Sequence, residues 1–178
     1  MSEFPSPAPA EVDLVQRAIS FTARAHLNQG RKDGRTPYVA HPYRVFFVVR
    51  QVFGVEDPIA LCAALLHDTI EDTTTDYDDV RYEFGPEVAD AVAALTKDMR
   101  KPDEIREPAY DEQLKQASWQ ARLVKLADVY DNVCDAYDPK MRKRAAKKGP
   151  RAIACAGDDE RIAGAVEILQ QLLNRAES

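Results

Sequence analysis

Apolar residues along this chain recur almost everywhere at helical spacing. Val12, Leu14, Val15, Ala18, Ile19 and Ala25 mark one face of a helix from Glu11 to about Gln29, closed by Gly30. RKDGRTPY, residues 31–38, breaks the pattern with glycine, proline and charge, and predicts a loop. A second helix is expected from Pro42 to Phe53, with proline in its first turn and Gly54 past its end. A third takes Asp57 as N-cap and Pro58 as first residue, then runs through IALCAALLHDTI. Thr75, with Asp78 three residues on, forms a weak capping box ahead of the next helix, which Gly85 stops. Pro86 opens another, EVADAVAALTK.

The stretch DMRKPDEIREPAY, residues 98–110, holds two prolines and many charges and reads as a long connection. Helical pattern resumes from Asp111 to about Tyr137, with a break near Ser118, and a last amphipathic helix spans Asp159 to about Arg175. No strand alternation and no internal repeat stand out. The expected fold class is all-α, a multi-helix bundle. Residues 1–10, MSEFPSPAPA, are proline-rich and read as a flexible N-terminal tail, and residues 11–178 as a single domain.

Composition changes this picture little. Of 178 residues, 45% are hydrophobic, enough for a real core. Net charge is −6, which argues against a nucleic-acid partner. The start is neither basic nor followed by an apolar run, so no signal peptide is expected, and no stretch is long enough to span a membrane. Cys62, Cys134 and Cys155 are odd in number and lack Cys-x-x-Cys spacing, so they read as reduced, mostly buried thiols of a cytoplasmic protein.

The stretch that changes the picture is LLHDTIEDT, residues 65–73. An apolar helix ends there in His67, Asp68, Glu71 and Asp72. With about 100° per residue, and His67 as zero, Glu71 lies at about 40°, Asp68 at about 100° and Asp72 at about 140°. Acids at a helix C-terminus oppose the macrodipole, and burying them is costly. A divalent cation reverses both penalties. Further ligands come from His41, at a loop-to-helix junction in VAHPYRV, and Asp128, a lone acid in the apolar run VKLADVYDNV with Asn132 one turn on. His41, His67, Asp68 and Asp128 are two imidazoles and two carboxylates, a set that suits manganese, iron or zinc with positions left for water.

The pattern H…HD…D over separate helices resembles the HD-domain metal-dependent phosphohydrolases. The words RKDGRTPYVAHP, ALLHDTIEDT, YEFGPEV followed by ALTK, and VKLADVYDN occur in this order and closely resemble the hydrolase domain of the Rel/Spo-type alarmone enzymes, over residues 20 to 135 or so. The resemblance implies an HD-domain bundle that removes the 3′-pyrophosphate from guanosine tetra- and pentaphosphate, giving GDP or GTP and pyrophosphate. It implies one Mn2+ held by His41, His67, Asp68 and Asp128. It also implies that Glu71 and Asp72 orient or deprotonate the attacking water, that Asn132 stands near the metal and the nucleotide, and that Arg31 and Lys32 contact the nucleotide. Tyr38 is expected to pack behind the RKDG loop, and His26 to be a hydrogen-bonded histidine of the core or one that supports a ligand, rather than a ligand itself. The chain departs from the family at Val129 and Asp131, where an arginine and a histidine are common. KMRKRAAKKGPR, residues 140–151, has seven basic residues in twelve; a solvated helix face is the first reading and a phosphate-steering rim the second. Two other functions remain open on this scaffold: hydrolysis of another nucleotide, such as a phosphorylated nicotinamide cofactor or a deoxynucleotide, and non-catalytic sensing of alarmone or metal.

Overall fold

The computed structural model describes residues 9–177. Of the expected tail, residues 1–8 lie outside the described residues, while Pro9 and Ala10 already belong to the first helix. The described residues form no strand; the one β-bridge, Gly30 to Pro37, pinches the base of the RKDG loop.

The helices run α1 Pro9–Ala25, α2 Ala40–Phe47, α3 Pro58–Leu66, α4 Thr69–Asp72, α5 Tyr77–Phe84, α6 Pro86–Leu95, α7 Asp103–Gln116, α8 Trp119–Cys134, α9 Pro139–Ala146, α10 Gly149–Ala156 and α11 Ala163–Glu177. α2 continues into a π-helical turn, Val48–Val52. The all-α bundle is as the pattern predicted. α3 is its axis: every residue from Ala60 to Leu66 is buried, packed by α1, α2, α6 and α8. A helix apolar all round can sit only in such a place. α8 closes the core with Leu123, Val124, Leu126 and Ala127, and carries α9, α10 and α11 on its other side.

Several boundaries differ from the sequence reading. α1 ends at Ala25, and the chain turns through Asn28, with φ of 66°, before it reaches Gly30. Asn tolerates this left-handed conformation better than other non-glycine residues. The capping box before α5 uses Asp76 and Asp79, one residue past the expected pair. α7 starts at Asp103, inside the stretch expected to be a connection, and holds Pro108 within it. A proline so near the start forfeits one helical hydrogen bond while the rest of the turn stands. The break at Ser118 is real: its side chain caps α8 by accepting from Ala121 N at 3.3 Å. The last helix begins at Ala163, four residues after the expected Asp159, whose carboxylate instead holds Arg122 and Arg161.

The departure that matters most is at His67. The sequence reading carried one helix through His67 to Asp72; the chain instead leaves α3 at Leu66, turns at His67 and Asp68, and restarts as α4. The Thr69 hydroxyl donates to Leu66 O at 2.7 Å, taking a carbonyl at the helix end. Asp68 consequently sits at φ −100° and ψ −3°. The turn brings Asp68 back beside His67, where a regular helix would hold the two about 100° apart.

Candidate active site

α2 supplies His41, the α3–α4 turn supplies His67 and Asp68, and α8 supplies Asp128. The four meet. His41 Nε2 lies 3.2 Å from His67 Nε2, 3.5 Å from Asp68 Oδ2 and 3.3 Å from Asp128 Oδ1. His67 Nε2 lies 3.1 Å from Asp68 Oδ2. One ligand atom each from His41, His67 and Asp128 fall within 4.8 Å of one another. Asp68 stands at the edge of that trio, and its Oδ2 also accepts the Tyr38 hydroxyl at 2.6 Å.

Hydrogen bonding fixes the tautomers. His67 Nδ1 lies 2.9 Å from Ala64 O, which can only accept, so Nδ1 carries the proton. His41 Nδ1 lies 2.7 Å from Asp131 Oδ2, and it too is the donor. Both Nε2 atoms therefore point lone pairs at one spot when the rings are neutral. Burial alone would push both imidazoles down. Asp128 and Asp131 outweigh it at His41, raising it to about 9, and Asp68 outweighs it at His67. Burial opposes ionisation of the two carboxylates as well, but the imidazoles hold Asp68 below its ordinary range, and Lys125 with His41 does the same for Asp128. A cluster of imidazole nitrogens and carboxylate oxygens about 3 Å apart, which draws protons when no cation is there to balance the acids, fits a divalent cation.

Around this seat the acids are held by other groups. Lys125 Nζ pairs with Asp128 Oδ2 at 2.8 Å and leaves Oδ1 facing the histidines. Glu71 Oε2 accepts Lys97 N at 2.8 Å; burial raises this carboxyl, and the charges of Asp68 and Asp72 add to the rise. Asp72 Oδ2 lies 2.9 Å from the Tyr38 hydroxyl, so that one proton serves Asp68 and Asp72 together. Tyr38 does pack under the RKDG loop, with the Arg31 guanidinium 5.7 Å above its ring, but its hydroxyl reaches further than the sequence suggested. His26 stacks on Tyr38 and bonds Gln29 at 2.7 Å, a core histidine as expected.

Beside the seat opens a cavity of about 400 Å³, lined by Arg31, Lys32, Asn132, Tyr137, Arg144 and Lys148 among others. Asn132 joins the two sites: its Nδ2 donates to Asp128 O at 2.9 Å and to Asp128 Oδ1. The basic segment thus reaches this cavity with two of its basic side chains. Arg144 and Lys148 line the cavity, while Arg142 and Lys147 do not.

The model of the HD domain family matches residues 18–151. The chain belongs to that family. Within the HD domain family its relatives are specific. Human guanosine-3′,5′-bis(diphosphate) 3′-pyrophosphohydrolase MESH1 is 41% identical over 127 residues, 71% of each chain. The enzyme of the same activity name from Aquifex aeolicus is 34% identical over 145 residues, 79% of this chain and 20% of that longer protein. The solved structure described as a metazoan ortholog of SpoT that hydrolyses ppGpp superposes with a TM-score of 0.80 at 25% identity, covering 97% of this chain and 98% of that one.

Sequence reasoning missed Asp131, Arg44 and Lys125 as parts of the site. Asp131 was noted only as a departure from the family pattern. Its signal was there: an acid three residues after Asp128, in a helix apolar enough to bury it.

Proposed function

We propose that this chain is a metal-dependent 3′-pyrophosphohydrolase of guanosine 3′,5′-bis(diphosphate) and its pentaphosphate counterpart. The observation that carries this reading is the meeting of His41, His67 and Asp128, with Asp68 at the edge of that trio against both histidines, beside a cavity lined by Arg31, Lys32, Arg144 and Lys148. The activity for which the relatives are named suggests the substrate.

His41, His67, Asp68 and Asp128 would hold the ion, and the mixed nitrogen and oxygen set suits manganese. When bound, such an ion supplies positive charge that polarises a phosphoryl oxygen and acidifies water. The cavity seats the nucleotide, with the Arg31 guanidinium, held over Tyr38, offering a planar cation to base or phosphate. Asn132 adds an amide donor without charge at the border between cavity and seat. Glu71 takes a proton from the attacking water; its raised carboxyl suits a base that works near neutrality. Asp72 orients that water, sharing the Tyr38 proton with Asp68. Water adds at the phosphorus next to the ribose, the bond from that phosphorus to the ribose 3′ oxygen breaks, and that oxygen takes up a proton. The products are GDP or GTP and pyrophosphate.

A substrate panel with added Mn2+ tests this. Guanosine tetraphosphate should yield pyrophosphate and GDP, and Glu71→Gln should lose about 10²-fold or more in kcat while the circular dichroism spectrum is retained. Faster turnover of a phosphorylated nicotinamide cofactor or a deoxynucleotide would replace the substrate. No turnover of any of them would leave a binding protein.

A further inference from the structure

One string of charged side chains runs unbroken from the metal seat to the cavity. His41 Nδ1 donates to Asp131 Oδ2 at 2.7 Å, and Arg44 Nε donates to Asp131 Oδ1 at 2.7 Å. Arg44 Nη2 reaches Asp135 Oδ2 at 2.8 Å, and Arg31 Nη2 reaches that same oxygen at 2.7 Å. The register of two helices builds it. His41 and Arg44 are three apart on α2, Asp131 and Asp135 four apart at the end of α8, so each pair shares a face. Asp131 is 3% exposed, too buried for a carboxylate without these donors.

We propose that this string is a positioning relay, through which Asp135 and Arg31 at the cavity set how strongly His41 holds its metal. The inference rests on the assignment of His41 as a metal ligand. An imidazole that donates its other N–H to a carboxylate is a more basic and better-oriented ligand. How well Asp131 accepts that proton depends on how much of Arg44 it must also satisfy. Arg44 divides itself between Asp131 and Asp135, and Arg31 competes for Asp135. A nucleotide that draws Arg31 into the cavity leaves Asp135 to Arg44, relieves Asp131, and so strengthens His41. Metal and nucleotide then favour one another, with equal coupling in both directions.

The test is Mn2+ affinity without nucleotide, by titration calorimetry on the full chain. Asp131→Asn, close in shape, should weaken binding about 10- to 100-fold. Asp135→Asn, at a residue that pairs with Arg31 and Arg44 and with none of the four metal-seat residues, should weaken it about three- to tenfold, because Arg44 then leans wholly on Asp131. In the Asp131→Asn background the Asp135→Asn step should vanish. A step of undiminished size there is simple charge at a distance and overturns the relay, as does an unchanged affinity in Asp135→Asn. The nuclear magnetic resonance of the His41 Nδ1–H proton gives a second readout should Asp131→Asn not fold. It should move in Asp135→Asn, and a fixed resonance overturns the proposal. His41→Ala separates the two levels: if it binds Mn2+ as well as the parent, the metal seat itself is misassigned, and if it loses the metal while Asp135→Asn does nothing, only the relay fails.

Discussion

At the scale of single residues, the site is a balance of buried charge, and Lys125 is the weight on one side. Its ammonium and the Asp128 carboxylate are 2.8 Å apart, with both side chains 15% exposed. Removing one partner of such a pair costs about 3–5 kcal/mol, because the other charge stays buried alone. Lys125→Met keeps the stem and removes the charge. Without metal the variant should unfold about 3 kcal/mol more easily in a denaturant titration. Mn2+ should then restore more stability to it than to the parent, since the cation answers the same carboxylate. A variant as stable as the parent, gaining no more from Mn2+, would show that Lys125 does not balance Asp128. The four residues that meet, His41, His67, Asp68 and Asp128, were legible because chemistry that costs stability stands out against an apolar run. Lys125 and Asp131 were not, because a charged residue in a helix is ordinarily exposed, and it is the packing of other helices against α8 that buries these.

At the scale of elements, start signals proved more legible than continuity. Asp57 with Pro58, and Gly85 with Pro86, mark helix starts that the structure keeps, because capping is local chemistry. The turn at His67 was invisible, since LLHDTIED satisfies helical periodicity throughout, and α7 was hidden by Pro108, whose usual meaning is a stop. Packing between elements was equally silent about Gly149. A Cβ there would lie 2.7 Å from Leu173 Cδ2 and 3.0 Å from its Cγ, with Leu173 only 4% exposed. The glycine lets the start of α10 press on α11. Gly149→Ala should therefore cost about 1–3 kcal/mol by overpacking, although alanine is the better helix former. A raised melting temperature would mean that Leu173 has room to swing away and that the close approach is incidental.

At the scale of the whole molecule, the proposed function sets an acidic protein before a polyanionic nucleotide. A net charge of −6 repels a guanosine tetraphosphate at long range. The fold answers this by concentration: the basic stretch that folds into α9 and the start of α10 brings Arg144 and Lys148 to the same cavity as Arg31 and Lys32 from the far end of the chain. Burial and the nearby Lys125 hold Lys148 below its ordinary value, so a phosphate arriving there meets an ammonium that gains from a partner. The sequence showed the basic run but not its address, because the address depends on where α9 docks along α8. Replacing both Arg144 and Lys148 by glutamine should raise KM about tenfold at low ionic strength, with the gap to the parent narrowing as salt rises past about 0.15 M. The same change at Arg142 and Lys147, equal in charge and on the same segment but off the cavity lining, should move KM far less. Equal effects from the two pairs would mean that the segment acts only through its total charge, and that the docking of α9 contributes nothing to nucleotide capture.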